Sequence, residues 1–250
     1  MIRLTCLGTG DAFNGAGRAH SCYWVDDPIG AFTVDFGPTA LMQVRRLGLD
    51  LDRLDAVYLT HLHGDHLGGL AVLLCELHYR RRRERPFVIA GPPGHEARVA
   101  ALLDSAYPTI SRGGLCFPLL HRRWTVPGTV DLDGRIVTAI RARHDTQAIA
   151  TSLRIVTGKR HLAFSGDTGW QPDLIELCAD ADVFLCECSA VEPGYWGHLS
   201  LAEIAAHRAE LTPKQLWLTH LSDESRAAAQ READALGLAV AEDGMRIELA

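Results

Sequence analysis

The 250-residue chain lacks several signals that would place it in a special class. It has no apolar run of 18 residues, so no transmembrane helix is expected. Its start, Met1-Ile2-Arg3-Leu4, leads into a predicted strand instead of a signal sequence. No repeat and no low-complexity linker interrupts it. These absences predict a soluble, cytoplasmic protein in which residues 1–250 form a single domain with a substantial core.

The cysteine content and the net charge also argue against a disulfide-stabilised or a strongly basic protein. The seven cysteines are odd in number and include no Cys-x-x-Cys pair, which fits reduced thiols better than a disulfide framework. We expect these thiols to lie in the core: Cys6, Cys22, Cys75, Cys116, Cys178, Cys186 and Cys188. The last two flank Glu187, and a position facing a metal is the alternative for them. The net charge of -6 argues against a generally basic nucleic-acid surface, although a local basic patch is compatible with it.

A glycine-rich run at residues 8–17 has the composition of a phosphate-binding loop but not its pattern. It lacks the terminal Lys-Ser/Thr pair, and no clear helix follows it. We therefore expect this run to line a groove. The arginine-rich residues 80–85 at the end of a predicted helix allow two interpretations. They are a solvated helix end favoured by the helix dipole, or a basic rim that attracts a polyanionic substrate.

The most informative stretch is residues 60–69, where four metal-binding side chains fall within six residues. The preceding residues 56–60 read as a buried strand, so His61 and His63 point the same way. Gly64 permits a sharp turn that carries Asp65 and His66 to a second position nearby. One loop can therefore serve two neighbouring ions. Imidazole and carboxylate ligands suit zinc, whereas iron or manganese fits this number of histidines less well.

Three further candidate ligands lie downstream at the ends of β-prone runs. His144 follows residues 135–143, Asp167 follows residues 160–164, and His220 closes residues 216–219. Strand ends on one edge of a layered α/β fold converge in space, and open sites are built at that edge. Together with the loop at His61, these residues give five histidines and two aspartates, enough for a two-metal centre.

The order of these ligands resembles the metallo-β-lactamase superfamily over nearly the whole chain. The resemblance implies a four-layered αββα sandwich of the α/β (α+β) class, with two metals in the groove between its sheets. It also implies that His61, His63 and His144 hold a first metal and that Asp65, His66 and His220 hold a second. Asp167 would bridge the two. Flavo-diiron relatives are expected to carry a glutamate at the position of His63, so the histidine points to hydrolysis.

Other motifs narrow the resemblance to the ribonuclease Z branch of phosphodiesterases. They are Gly91-Pro92-Pro93-Gly94, Ser165-Gly166-Asp167-Thr168, Glu187, His198-Leu199-Ser200 and Leu218-Thr219-His220-Leu221-Ser222. This branch implies that Glu187 and His198 assist phosphodiester cleavage. The residues themselves agree, because Ser200 and Glu203 form a capping box that starts a helix just after His198. Helix starts attract anions, and a histidine there can donate to a phosphate oxygen.

The chain departs from the ribonuclease Z pattern in one respect. The long tRNA-gripping arm of bacterial relatives is missing between His144 and Asp167, which leaves no basis for expecting tRNA processing. The cyclic phosphodiesterase of phosphonate breakdown resembles the chain in size, in Gly91-Pro92-Pro93 and in Asp243-Gly244-Met245. That relative carries an N-terminal cysteine cluster for a structural zinc, and residues 8–22 do not supply one.

We interpret the chain as a dinuclear zinc phosphodiesterase, with manganese or iron as alternative metals. Its substrate would be RNA or a small cyclic phosphodiester. Asp65 would orient the nucleophile, and His198, with its tautomer fixed by Glu187, would stabilise the departing oxygen. A lactone or thioester hydrolase would use the same metals without His198. A non-catalytic zinc scaffold or partner-binding protein is the third class, and the resemblance is compatible with a homodimer that pairs through an apolar surface.

Some finer expectations concern single elements. Asp35, at the end of a predicted strand, either holds a ligand histidine from outside the metal site or is a simple strand-end carboxylate. Residues 115–120 are expected to form a strand, and residues 238–240 and 245–249 a final strand pair. Asp133-Gly134 predicts a hairpin turn before Arg135.

Overall fold

The computed structural model describes residues 1–144 and 149–249. These residues form fourteen strands: β1 (Ile2–Gly8), β2 (Cys22–Asp26), β3 (Ala31–Val34), β4 (Leu54–Tyr58), β5 (Phe87–Gly91), β6 (Leu119–Arg123), β7 (Gly128–Leu132), β8 (Arg135–Arg141), β9 (Thr151–Thr157), β10 (Arg160–Phe164), β11 (Val183–Glu187), β12 (Leu216–Thr219), β13 (Ala239–Val240) and β14 (Arg246–Leu249). They also form eight α-helices: α1 (Ala40–Arg46), α2 (Gly64–Leu67), α3 (Leu70–Tyr79), α4 (His95–Ala106), α5 (Pro108–Gly113), α6 (Asp173–Cys178), α7 (Leu201–His207) and α8 (Asp223–Leu236). Short 3₁₀ turns occupy Gly15–Gly17 and Leu51–Arg53.

The strands make two seven-stranded mixed sheets. The first has the order β14-β1-β2-β3-β4-β5-β6, and the second has the order β13-β12-β11-β10-β9-β8-β7. Strands β3 to β6 run parallel, as do β10 to β13. In the first sheet, β1 pairs with β14 so that Ile2 lies opposite Leu249. The two ends of the described chain therefore close the same sheet.

Alternation within the strands explains why the sheets stack. In β2, Tyr23 and Val25 pack into the core between the sheets, whereas Cys22 and Trp24 pack against helices. Successive strand side chains point to opposite faces, so a strand buried on both sides needs this unbroken apolar run. Helices α1, α3 and α4 cover the outer face of the first sheet, and α6, α7 and α8 cover that of the second. The predicted αββα sandwich is confirmed.

Two expectations about elements are wrong. The strand predicted at residues 115–120 has the wrong bounds, because β6 runs from Leu119 to Arg123 and helix α5, which starts at Pro108, precedes it. Proline suits a first helical turn, where its missing N–H is not needed. The last two strands do not pair with each other either. A turn at Gly244, whose N–H donates to Cys6 O, carries β14 to the first sheet while β13 stays beside β12 in the second.

The arginine run and the cysteines have structural explanations. Arg83 is buried and donates to the carbonyl oxygens of Leu54 and Pro86, and Arg81 forms an ion pair with Asp52. These contacts tie Arg81 and Arg83 to the end of α3, whereas Arg80 and Arg82 are exposed. Five cysteines are buried as predicted (Cys6, Cys22, Cys178, Cys186 and Cys188). The prediction is wrong for Cys116, which is exposed, and Cys75 is half-buried.

From residue 149 to Asp167 the described chain forms only the hairpin of β9 and β10, which turns at Gly158 and Lys159. No inserted arm therefore projects from residues 149–166. Asp133 and Gly134 make the predicted turn between β7 and β8. Across residues 1–144 and 149–249, none of the helices has the length and apolar character needed to span a membrane.

Candidate metal centre

The candidate ligands all lie at the carboxyl ends of strands, on one edge of the sandwich. The His61 motif follows β4, His144 follows β8, Asp167 follows β10 and His220 follows β12. Strand β4 ends at Tyr58, two residues earlier than the sequence indicated, and Asp65 and His66 lie in the single turn of α2. The sharp turn expected at Gly64 is therefore a short helix, which still places the second pair of side chains beside the first.

The first group of ligand atoms comprises three ring nitrogens and one carboxylate oxygen. His63 Nδ1 lies 3.2 Å from His61 Nε2 and 3.0 Å from His144 Nε2. Asp167 Oδ2 lies 3.6 Å from His61 Nε2 and 3.9 Å from His144 Nε2. Nitrogen ligands about 2.0 Å from one tetrahedral ion lie about 3.3 Å apart. The spacing therefore fits one cation.

The second group shares Asp167 with the first. His66 Nε2 lies 3.2 Å from both Asp65 Oδ2 and Asp167 Oδ1. His220 Nε2 lies 3.3 Å from Asp65 Oδ2 and 3.5 Å from Asp167 Oδ2. Since Asp167 contacts histidines of both groups, it stands where a bridging carboxylate would have to stand. All seven predicted ligands are brought together in these two groups.

Partners beneath the first sheet's edge orient two of the histidines. His66 Nδ1 donates to Asp35 Oδ2 at 2.7 Å, and the Thr60 hydroxyl donates to the same oxygen at 2.8 Å. Because the Thr60 proton goes to Asp35, His61 Nδ1, 3.1 Å away, is the donor to Thr60 Oγ1. In the neutral, cation-binding form of each ring, the other nitrogen would then direct its lone pair at the metal centre. Of the two alternatives for Asp35, the structure shows the contact with a candidate ligand histidine, His66.

Hydrogen-bond partners from the second sheet's side orient the buried rings of His144 and His220. His144 Nδ1 donates to Gly197 O at 2.7 Å. The Ser189 hydroxyl donates to Glu187 Oε2 at 2.8 Å and accepts from His220 Nδ1 at 2.9 Å. Sequence analysis missed both Ser189 and Gly197. Neither belongs to a ligand pattern, and one of them acts only through its backbone carbonyl.

The backbone at two of these positions is strained. Asp35 and His220 have φ values of 58° and 53°, a left-handed conformation that side chains other than glycine seldom adopt. Strain of this kind persists where the surrounding structure holds it, and it concentrates at functional sites. Here it turns each side chain off the end of its strand and into the edge of the sandwich.

One buried atom shows that the centre fits cations. His66 Nε2 is buried and has no hydrogen-bond partner among the described residues, yet two carboxylate oxygens lie 3.2 Å away. Burial alone would lower the pKa of His66, but Asp167, Asp65 and Asp35 raise it well above its ordinary value, so without a cation this ring carries the positive charge itself. A cation among these atoms would take the place of that charge, with the Nε2 lone pair turned toward it. The residues present therefore fit a pair of divalent cations, with Asp167 shared between them.

The electrostatics agree with that donor set. Burial alone would raise the pKa of Asp167, but His220 and His66 hold it well below its ordinary value. Burial holds the pKa of His61 well below its ordinary value, and His66 lowers it further. An ionised carboxylate and a neutral imidazole are the forms that bind metals. Burial opposes charge on His220 as well, but Asp167 raises its pKa to about 9, so this part of the centre favours positive charge.

Glu187 and His198 form a hydrogen-bonded pair beside the ligands. His198 Nδ1 donates to Glu187 Oε1 at 2.8 Å, and the buried carboxylate also accepts from Thr168 N at 2.7 Å. The His198 ring lies 4.8 Å from the His144 ring and 5.6 Å from that of His220. Burial lowers the pKa of His198, but the hydrogen bond to Glu187, the charge of Glu187 and that of Asp167 together outweigh it and raise this pKa above the ordinary value.

The helix start after His198 is as predicted. Ser200 Oγ accepts from Glu203 N at 3.2 Å, and Glu203 Oε2 accepts from Ser200 N at 3.0 Å, which completes the capping box.

On the other side of the centre, the glycine-rich run contacts the residues after His220. Gly10 pairs with Leu221, so this run borders the centre as expected.

Comparison with known proteins places this geometry in a family. The family model described as "Anti-Pycsar protein Apyc1" matches residues 2–243. A ribonuclease Z from Bradyrhizobium diazoefficiens is 27% identical in an alignment 278 positions long. The alignment covers 89% of this chain and 90% of the relative. The expected resemblance to ribonuclease Z proteins is thereby confirmed.

Solved structures agree in fold. The metallo-β-lactamase fold protein YhfI from Bacillus subtilis has a TM-score of 0.80 at 20% identity and covers 99% of this chain and 100% of its own. A new diphosphatase from the PhnP family has a TM-score of 0.79 at 20% identity and covers 100% of this chain and 98% of its own. With the family model spanning nearly all of the chain, the protein belongs to the Anti-Pycsar Apyc1 family and has the metallo-β-lactamase fold.

Proposed function

We propose that the protein cleaves a small cyclic phosphodiester of the nucleotide class with a pair of divalent cations. The coarser prediction of a metal-dependent phosphodiesterase is confirmed by the ribonuclease Z relatives and the Apyc1 family. The observation that carries the proposal is the 2.8 Å bond from His198 Nδ1 to Glu187 Oε1, directly beside the ligand histidines. A hydrolase of lactones or thioesters has no need of this pair.

We propose that the cations are zinc, because five imidazoles and two carboxylates form the donor set. His61, His63 and His144 would hold one ion, Asp65, His66 and His220 the other, and Asp167 both. Manganese or iron is the alternative occupant. When bound, such a pair supplies Lewis acidity, which lowers the pKa of water and neutralises phosphate charge.

The chain's own residues supply orientation and proton transfer. Asp65 lies at the rim of the second group, partly accessible, where its carboxylate can orient the attacking water and accept a proton. His198 bears its Nδ1 proton toward Glu187, and the raised pKa favours a second proton on Nε2. That Nε2–H can stabilise the departing oxygen. Glu187, itself held by Thr168 and Ser189, fixes the tautomer of this histidine.

A small substrate is favoured over tRNA for two reasons. The hairpin of β9 and β10 leaves no arm to grip a large RNA in the described part of residues 144–167. The Apyc1 family supports a cyclic nucleotide as the substrate class.

We further propose that residues 1–250 act as one domain, a view supported by the pairing of β1 with β14. A homodimer and a cytoplasmic location remain expectations.

The test is hydrolysis of bis(p-nitrophenyl) phosphate by metal-loaded protein, run beside a 3′,5′-cyclic nucleotide, a short RNA, a lactone and a thioester. We expect turnover of the phosphodiesters and a loss of about 10²-fold or more in kcat for His198→Ala, the lower range for general acid catalysis. His207→Ala is the matched control, since His207 also lies near α7 but stacks on Trp170 away from the ligands.

Two outcomes would overturn the proposal. Full phosphodiester turnover by His198→Ala protein would remove the assigned role of that residue. Turnover of the lactone or thioester alone, unchanged in the His198→Ala protein, would assign the centre to carboxylic-ester hydrolysis instead. Metal content measured on each variant separates an altered centre from an altered proton donor.

A further inference from the structure

Two adjacent aromatic side chains stand exposed at the mouth of the metal centre. Tyr195 and Trp196, in the loop between β11 and α7, are 46% and 51% exposed. Adjacent, partly exposed aromatic rings offer a contiguous apolar surface, a feature typical of ligand-binding sites. The loop also supplies Gly197, whose carbonyl accepts from the ligand His144, and it leads directly to His198.

The loop is held in place rather than hanging free. His198 N donates to Tyr195 O at 3.2 Å, and Ala190 pairs with Ser200 across the base of the loop. The backbone of Trp196 packs on Gly169, two residues after Asp167. A Cβ atom added at Gly169 would lie only 1.9 Å from Trp196 O. Both ends of the aromatic pair are therefore fixed relative to the ligands.

The rings extend a continuous aromatic path from the metal centre outward. The Tyr195 ring lies 5.6 Å from the His198 ring and 5.9 Å from the Trp196 ring. The His198 ring in turn lies 4.8 Å from that of His144. A phosphodiester beside His198 would therefore have an aromatic surface within reach of one of its ester groups. Bases stack on such surfaces through their π-faces, without hydrogen-bond readout.

We propose that Tyr195 and Trp196 form the platform on which the base of the substrate stacks. This inference rests on the proposed phosphodiesterase function and adds the residues that distinguish a nucleotide from a simple phosphodiester. The pair acts on binding, since neither ring lies among the proton-transfer groups. Its loss should raise KM far more than it lowers kcat. Because stacking tolerates any base, purine and pyrimidine nucleotides should both be accepted.

The kinetic test compares a 3′,5′-cyclic nucleotide with its 1-deoxyribose analogue, which keeps the cyclic phosphate and lacks the base. Metal-loaded wild-type protein should favour the nucleotide by about tenfold or more in kcat/KM, the scale of one base stacked on an aromatic ring. Tyr195→Ala and Trp196→Ala should both lose that preference, and Trp196→Ala, whose ring has no contact with His198 among those described, should leave the rate on the analogue unchanged. Trp196→Phe should retain most of it. Tyr79→Ala, which removes an exposed ring at the end of α3, is the matched control.

A binding test does not depend on turnover. The product adenosine 5′-monophosphate should quench the tryptophan fluorescence of metal-loaded protein, and ribose 5-phosphate should not. Trp196→Phe, which leaves four of the five tryptophans, should abolish the quenching. Equal wild-type turnover of nucleotide and analogue, or parallel losses on both in the Trp196→Ala variant, would refute the platform alone. Failure to hydrolyse any phosphodiester would refute the proposed function, while the quenching would still decide the platform.

Discussion

The two sheets enclose two buried polar groups, at opposite edges of the sandwich, and they differ in how their charges are balanced. At the edge away from the ligands, Arg135 donates to both oxygens of Asp27, at 2.7 Å from Nε and 2.9 Å from Nη2. Thr157 Oγ1 adds a third bond to Asp27 at 2.9 Å. We call Asp27 and Arg135 the closing pair. Each of its charges has a partner within the chain.

At the other edge, the candidate metal centre has no such internal balance. The carboxylates of Asp65 and Asp167 face several ring nitrogens, and His66 Nε2 has no hydrogen-bond partner among the described residues. The closing pair satisfies itself and joins the sheets, whereas the metal centre is complete only with added positive charge. Buried charged residues thus stabilise the contact between the sheets at one edge and form a candidate binding site at the other. Substituting an aspartate at each edge should separate the two roles.

The largest effect is expected from Asp167→Asn. An amide in place of the shared carboxylate removes a negative charge that both groups of ligands face. We expect metal content to fall and phosphodiester turnover to drop by more than the about 100-fold typical of losing an outer partner of a ligand. Metal analysis and kcat/KM on the same preparation provide the measurement. Wild-type metal content in the variant would show that Asp167 is not shared between cations.

The sequence revealed this edge well, for a physical reason. Metal ligands are recognisable by residue type, and their order along the chain is a property that one sequence carries. His61, Asp167 and His220 could therefore be identified before the fold was known. Ser189 and Gly197 could not, because a hydroxyl or a carbonyl that orients a ring is set by three-dimensional proximity and leaves no residue pattern.

The fold was predicted where local patterns decide it and missed where tertiary contacts do. Alternation and turn residues gave most of the strands, and the capping box at Ser200 located α7. The sheet to which β13 and β14 belong depends on the strand beside which each one packs, β12 or β1. The periodicity of the sequence does not encode that choice. The closing pair was missed too, since its members lie 108 residues apart and belong to no motif.

The second effect, on stability, is expected from Asp27→Asn. Loss of the carboxylate leaves the buried Arg135 charge without its partner, and breaking a buried pair on one side costs about 3–5 kcal/mol. Denaturant unfolding should show this loss, while metal content and kcat of the folded protein stay at wild-type values. A fall in metal content equal to that of Asp167→Asn would mean that the two edges are not separable.

A double substitution sharpens that result. Asp27→Asn combined with Arg135→Met removes both charges, and replacing a whole buried pair by apolar groups is often close to neutral. The double variant should therefore recover much of the stability lost in the single one. If both variants are equally unstable, the packing of Arg135 over the Phe32 ring, 4.8 Å away, matters more than the charges.

The smallest effect is the pH dependence of the closing pair. Burial alone would raise the pKa of Asp27, but the hydrogen bond and charge of Arg135 lower it below the ordinary value of 3.8. A carboxyl whose pKa is lower in the folded state stabilises the protein above its unfolded pKa and loses that contribution as pH falls through the folded value. The stability difference between wild-type and Asp27→Asn protein should thus be constant near neutral pH and shrink below about pH 4. Metal-free protein is the sample for this titration, because acid also releases cations from histidine ligands. A difference that grows on acidification would show that Asp27 is not the ionised partner of Arg135.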